Sequence, residues 1–97
     1  MTSEKDIRTA VESILHRTLP SLRVVRIEAS EIIDTSGDES LDVKVVVRER
    51  PSRELARRTA DVVDQLRTWL AERQDERFPY FHLTTEREEA ELAQMGE

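Results

Sequence analysis

Few residues in this chain are of types that do chemistry, and their spacing decides which chemistry is open to them. There are two histidines, His16 and His82, and no cysteine. Two histidines without an i, i+4 spacing or a carboxylate motif beside them do not make a metal set. Without cysteine there is no thiolate, no disulfide and no zinc site built on sulfur. His82 belongs to "RFPYFHL", residues 77–83, which holds three of the four aromatics. Period-two alternation places Tyr80 and His82 on one side of that segment, either as a recognition pair or acid/base couple, or as strand residues with polar tips at a solvent edge. His16 closes the first helical stretch, where an imidazole suits the negative end of the helix dipole.

Two other stretches invite a ligand. "DTSGDES", residues 34–40, sets Asp34, Ser36 and Asp38 at alternate positions, as a calcium loop does. An EF-hand wants glycine at loop position 6 and a bidentate glutamate at position 12; counting from Asp34, Gly37 stands at 4 and Val45 at 12. The calcium reading fails on spacing. "RERPSRELARR", residues 48–58, gathers Arg48, Arg50, Arg53, Arg57 and Arg58 around a predicted helix start. Arg50, Arg53, Arg57 and Arg58 are the candidate contacts for a phosphate or other anion. Glu49 and Glu54 interrupt the run, and no glycine-rich loop brings backbone amides together. The other reading is a solvated, salt-bridged helix face. Nucleophilic catalysis finds no G-x-S-x-G elbow and no recognisable Ser-His-Asp setting. No catalytic, cofactor-binding or metal residue is assigned, and the chain is expected not to be an enzyme.

Charge narrows the partners. Fifteen bases against twenty-one acids give a net −6, and residues 76–97 alone carry six acids and two bases. Non-specific nucleic-acid or anionic-membrane binding needs an excess of Lys and Arg, so this balance argues against both. The charged N-terminus "MTSEKDIRTAVES" lacks the apolar run of a signal peptide, and no stretch is long and apolar enough to span a bilayer. A cytoplasmic location is expected.

The elements that must position these residues follow from periodicity. Ser3 with Asp6 forms an acidic variant of the capping box, and Ile7, Ala10, Val11 and Ile14 recur at helical spacing until Pro20. "LRVVRIEASEII" reads as a strand in which Val25, Ile27 and Ala29 alternate with Val24, Arg26 and Glu28, with a phase break expected near Ser30–Ile32. After the turn cluster, "LDVKVVVRE" alternates Leu41, Val43, Val45 and Val47 with Asp42, Lys44, Val46 and Arg48. From a Ser52 cap, the stripe Leu55, Thr59, Val62, Val63, Leu66, Trp69, Leu70 predicts one long helix ending near Arg73. "QDER" reads as a polar connection. "FPYFHLTT" is a third strand, with Pro79 tolerated near the start of an edge strand, and Thr85 with Glu88 caps a short acidic helix.

The predicted fold is a small α+β domain of order α-β-β-α-β-α, with a three-stranded mixed or antiparallel sheet and helices mainly on one face. Residues 1–85 form the expected core domain and 86–97 an acidic C-terminal helix and tail. This order resembles that of the BolA-like proteins, which share the class II KH topology. The resemblance covers most of the chain as architecture and implies the fold alone. The KH family's G-x-x-G loop is missing, and "SRELARRTADVVDQL" holds no histidine to match the BolA-like signature, so neither nucleic-acid binding nor an iron–sulfur partnership comes with it.

Helices on one face leave the other open. Alternation assigns Val24, Arg26, Glu28, Lys44, Val46, Arg48, Phe78, Tyr80 and His82 to that open face, with coverage expected from Leu92 and Met95 of the last helix or from a second chain. Aromatics flanked by Arg suit a protein interface, so Phe78, Tyr80, His82, Val24 and Val46 are the candidate interface residues. The sequence therefore predicts a non-catalytic interaction module, a homodimer or a domain docked on a protein partner. The rivals are an anion or nucleic-acid binder through the arginines, and an antitoxin- or immunity-like protein presenting Glu86, Glu88, Glu89 and Glu91 to a basic surface.

Overall fold

The periodicities become seven elements in a computed structural model that describes residues 1–95. They are α1 (Glu4–Thr18), β1 (Val24–Ile33), β2 (Glu39–Val47), α2 (Arg53–Arg57), α3 (Thr59–Glu72), β3 (Phe78–Thr85) and α4 (Glu86–Met95). Gly96 and Glu97, the end of the predicted tail, lie outside the described residues. The order is that of an α+β domain, with the fourth predicted element divided in two.

The caps form where the sequence places them. The Asp6 amide donates to Ser3 Oγ at 3.2 Å, and the Leu55 amide to Ser52 Oγ at 3.2 Å. At α4 the Glu88 amide donates to Thr85 Oγ1 at 3.1 Å, while the Thr85 hydroxyl approaches Glu88 Oε1 at 3.3 Å. The long helix predicted from Ser52 breaks at Arg58, the boundary between α2 and α3. Thr59 Oγ1 donates to the Ala56 carbonyl at 2.7 Å, taking an acceptor that the helix ladder would use. The apolar stripe runs through the break, so periodicity alone does not reveal it.

The sheet has order β1-β2-β3 and is mixed. β1 and β2 are antiparallel around the Asp34–Asp38 turn, whereas β3 runs parallel to β2. A parallel neighbour requires a crossover, which residues 48–77 supply through α2 and α3. The register shift falls between Val24 and Arg26, not near Ser30–Ile32, and the pairing is regular from Arg26 to Ile33. Ile32 and Ile33 follow the strand's alternation; they simply do not follow the apolar pattern, and Ile33 remains exposed.

Ile7, Val11, Ile14 and Leu15 of α1 and Val62, Leu66 and Leu70 of α3 pack over Leu41, Val43, Val45 and Val47 of the central strand. Phe81 and Leu83 reach the edge of this core and are only partly buried. Both helices lie on one side of the sheet, so they leave the side bearing Ser40, Asp42, Lys44 and Val46 uncovered by α1 and α3.

Candidate functional site

The open side of the sheet is built from every second residue of three strands. The register aligns Arg26, Val46 and Thr84, then Glu28, Lys44 and His82, then Ser30, Asp42 and Tyr80, and finally Ile32, Ser40 and Phe78. The structure thus brings Phe78, Tyr80 and His82 onto one face of an edge strand. The other two candidate interface residues are placed differently. Val46 is on this face but has 0% exposure, so it cannot itself touch a partner. Val24 aligns with Val47, the core-facing phase, because the extra residue Val25 shifts β1 at its start. Val24 and Val25 instead border α1, near Lys5, Arg8 and Glu12.

The Val46 end of the face is closed by charge. Lys44 Nζ lies 2.6 Å from Glu89 Oε1 of α4, and Arg26 reaches the same oxygen at 3.4 Å. Glu28 joins the cluster through Arg26 at 2.9 Å and Lys44 at 3.7 Å. The Glu89 carboxylate holds Lys44 above its ordinary range, and the hydrogen bond from Arg26 holds Glu28 below its own. Leu92 and Met95, the residues expected to cover the sheet, are 63% and 82% exposed. α4 is tethered by glutamates at its first turn and turns its apolar residues to solvent.

The other end of the face is aromatic. Phe78 and Tyr80 meet edge to face with ring centroids 4.9 Å apart, a geometry favourable beyond area burial alone. The Arg67 guanidinium of α3 lies 5.3 Å from the Phe78 centroid. Even so packed, Phe78 is 42% and Tyr80 38% exposed. The Tyr80 hydroxyl donates to Asp34 Oδ2 at 3.3 Å, tying the strand to the β1–β2 turn. Desolvation first, and the Asp34 charge second, raise the Tyr80 phenol above its ordinary range.

Asp34 also explains the calcium-like loop. Its Oδ1 accepts the amides of Ser36 and Asp38 at 2.9 and 3.0 Å, its Oδ2 accepts Ser40 Oγ at 3.0 Å, and Gly37 takes φ 85°. The Asp38 amide is the main cause of a lowered Asp34 carboxyl. The carboxylate is spent on the turn, and no group of three metal-ligating side chains forms among the described residues.

His82 Nε2 lies 2.7 Å from Asp42 Oδ1 on the adjacent strand. Such a pair can fix an imidazole's tautomer and orientation. With 59% and 39% side-chain exposure, it is a solvated pair on the face that Tyr80 shares.

The arginine cluster is dispersed. Arg50 pairs with Glu88 at 2.8 Å, while Arg53, Arg57 and Arg58 are exposed around the five-residue α2. The α2 cap is already occupied by Ser52, so its amides are not gathered for an anion.

Sequence reasoning missed a buried ion pair. "QDER", expected to be a polar connection, buries Asp75 and Arg77. The Arg77 guanidinium donates to Asp75 Oδ1 at 2.9 Å and Oδ2 at 2.6 Å, to Glu31 Oε1 at 2.6 Å, and to the Thr2 carbonyl at 2.7 Å. The Thr2 amide in turn donates to Asp75 Oδ2 at 3.2 Å. The hydrogen bonds from Arg77 hold the Asp75 carboxyl far below the usual carboxylate range, and Asp75 raises Arg77. This cluster staples the N-terminus, β1 and the α3–β3 connection together. Its partners lie too far apart in sequence for spacing to find them.

No protein-family model, no curated protein and no solved structure matches the chain. No helix among the described residues is long and apolar enough to cross a membrane.

Proposed function

We propose that the chain is a small non-catalytic protein-interaction module whose contact surface is the aromatic half of the open sheet face, centred on Phe78, Tyr80 and His82. The observation that carries this reading is the exposed edge-to-face pair Phe78–Tyr80 on an edge strand, beside a salt-bridged half that α4 closes. Aromatic side chains with two rotatable bonds present large contact area at low entropic cost, which is why interfaces are rich in them. The arrangement also limits what α4 does: it holds the Val46 end and leaves the aromatic end free.

The test compares light-scattering masses and partner binding of the full chain, of Phe78→Ser/Tyr80→Ser, and of a chain ending before Glu86. Association should persist in the truncated chain and vanish in the serine variant. Association that survives the serine pair but is lost with α4 would place the contact on Leu92 and Met95 and defeat the proposal.

The anion-binding reading retains one favourable observation, the freedom of Arg53, Arg57 and Arg58 from ion pairs among the described residues. Fluorescence anisotropy with RNA, DNA and nucleotides at low salt decides it, since phosphate contacts are strongest there.

A further inference from the structure

α4 holds its place without burying a residue. Packing of an apolar face is what stabilises most short helices, and its 10 residues fall below the ~12–15 that an isolated helix needs in water. Leu92 and Met95 point to solvent, and Arg87 pairs with Glu91 inside the helix itself. What ties α4 to the domain is the Thr85 cap and the ion pairs of Glu88 and Glu89. Ion pairs at such exposed positions each contribute little and weaken with salt. The docking of α4 is therefore electrostatic.

What lies beneath α4 is basic. Arg26 of β1, Lys44 of β2 and Arg50 just beyond β2 converge on two consecutive carboxylates: Lys44 and Arg26 on Glu89 at 2.6 and 3.4 Å, Arg50 on Glu88 at 2.8 Å. Without Glu88 and Glu89, these three cations keep one ion-pair partner among the described residues, Glu28. Glu86 belongs to α4 and leaves with it, and among the described residues neither Glu49 nor Glu54 pairs with any of the three. Val46 stands between Arg26 and Thr84 in the register and is fully buried on a face that α1 and α3 leave uncovered. Its cover comes from α4 and the side chains tethered to it.

We propose that α4 is a releasable latch, the intramolecular occupant of a basic patch formed by Arg26, Lys44 and Arg50, and that an acidic segment of a protein partner takes its place there. The chemistry of that segment is read from α4 itself: consecutive glutamates whose carboxylates reach cations of β1, of β2 and of the chain beyond β2. Attachment at Thr85 keeps α4 at a high effective concentration, so it shields the patch from weak anionic ligands and yields to one that brings more carboxylates. The patch lies at the other end of the face from Phe78 and Tyr80. The inference thus stands apart from the aromatic contact surface.

Hydrogen exchange of the full chain tests the latch, and fluorescence anisotropy with a labelled polyglutamate peptide tests the patch. Raising salt from about 0.01 M to about 1 M should speed exchange of the α4 amides about tenfold, with those of β2 unchanged. Glu88→Gln/Glu89→Gln should give the same release at low salt and bind the peptide about tenfold more tightly than the unaltered chain. Glutamine keeps the capping ability of position 88, so the change reports charge. Adding Lys44→Gln should return the affinity to that of the unaltered chain. Asp64→Asn/Glu72→Gln removes the same charge at exposed positions of α3 and should leave binding unchanged, as should Phe78→Ser/Tyr80→Ser. α4 exchange indifferent to salt and to Glu88→Gln/Glu89→Gln overturns the latch. Peptide binding that is absent from that variant, survives Lys44→Gln, or is matched by the α3 control overturns the patch. Single-stranded DNA bound by Glu88→Gln/Glu89→Gln more tightly than the peptide overturns the choice of partner.

Discussion

Replacing Arg77 by Met isolates what the buried staple contributes. The methionine fills much of the volume of the arginine stem but leaves the Asp75 carboxylate, 4% exposed, without its principal donor. Removing one partner of a buried pair costs about 3–5 kcal/mol, because the remaining charge stays desolvated. The whole domain is worth on the order of 5–15 kcal/mol at this length, so about a fifth or more of the stability is at stake. With a urea slope near 1.5 kcal/mol/M, the midpoint should fall by about 2–3 M. Asp75→Leu/Arg77→Met should recover most of the loss, since an apolar replacement of both partners removes the stranded charge. The pH dependence carries a sign. In the native protein the Asp75 carboxyl is depressed, so it stabilises above its unfolded value of about 3.9, and that contribution fades as pH falls below it toward the folded value. Without Arg77, burial favours the protonated acid instead, so the deficit of Arg77→Met should be large at pH 7 and shrink at pH 3. A deficit under about 1 kcal/mol at pH 7, or one that grows on acidification, would refute the assignment of this cluster as a staple.

Further outcomes are expected elsewhere in the chain. Gln74 has φ 59° at the end of α3, where its amide donates to Ala71 and that of Asp75 to Leu70 in a Schellman arrangement. Gln74→Gly should therefore raise stability by roughly 0.5–1 kcal/mol in thermal or urea unfolding. Thr85→Ala should remove the α4 cap at a cost of about 1 kcal/mol to that helix, seen as faster amide exchange across Glu88–Glu91 with the sheet core unaffected. Leu66→Ala, at a fully buried position of α3, should cost about 2.5–5 kcal/mol by calorimetry. Phe78→Ser/Tyr80→Ser should cost about 1–3 kcal/mol in unfolding while abolishing association, since each ring is more than half buried and the edge-to-face pair is lost.

Local signals in the sequence were legible because their physics is local. Ser3, Ser52 and Thr85 cap the helices they precede, and the alternation of Leu41, Val43, Val45 and Val47 marks the core-facing side of β2. Non-local choices were not. The direction of β3 depends on the path of residues 48–77, which its own alternation does not encode. Val24 lies off the open face because one extra residue at Val25 resets the phase, and two adjacent valines hide which of them is extra. Val46 lies on the open face as its alternation implies, but its burial depends on neighbours that a strand pattern cannot weigh. α4 carries apolar Leu92 and Met95, which suggested coverage of the sheet. Its actual tether is Glu89 between Lys44 and Arg26, a contact set by where β3 ends. The polar look of "QDER" concealed a buried ion pair, since Glu31 and Thr2 approach it only in the folded chain.

The central claim is that the aromatic strand is a contact surface, and photo-crosslinking tests it most directly. A benzophenone amino acid placed at Tyr80 in the purified chain is irradiated beside a control carrying it at Ser13, on the exposed side of α1. The account predicts a covalent dimer from position 80 and none from position 13, with cross-linked peptides mapping to the partner's β3. Products from position 80 that join only residues of its own chain, or dimers formed equally from both positions, would contradict it.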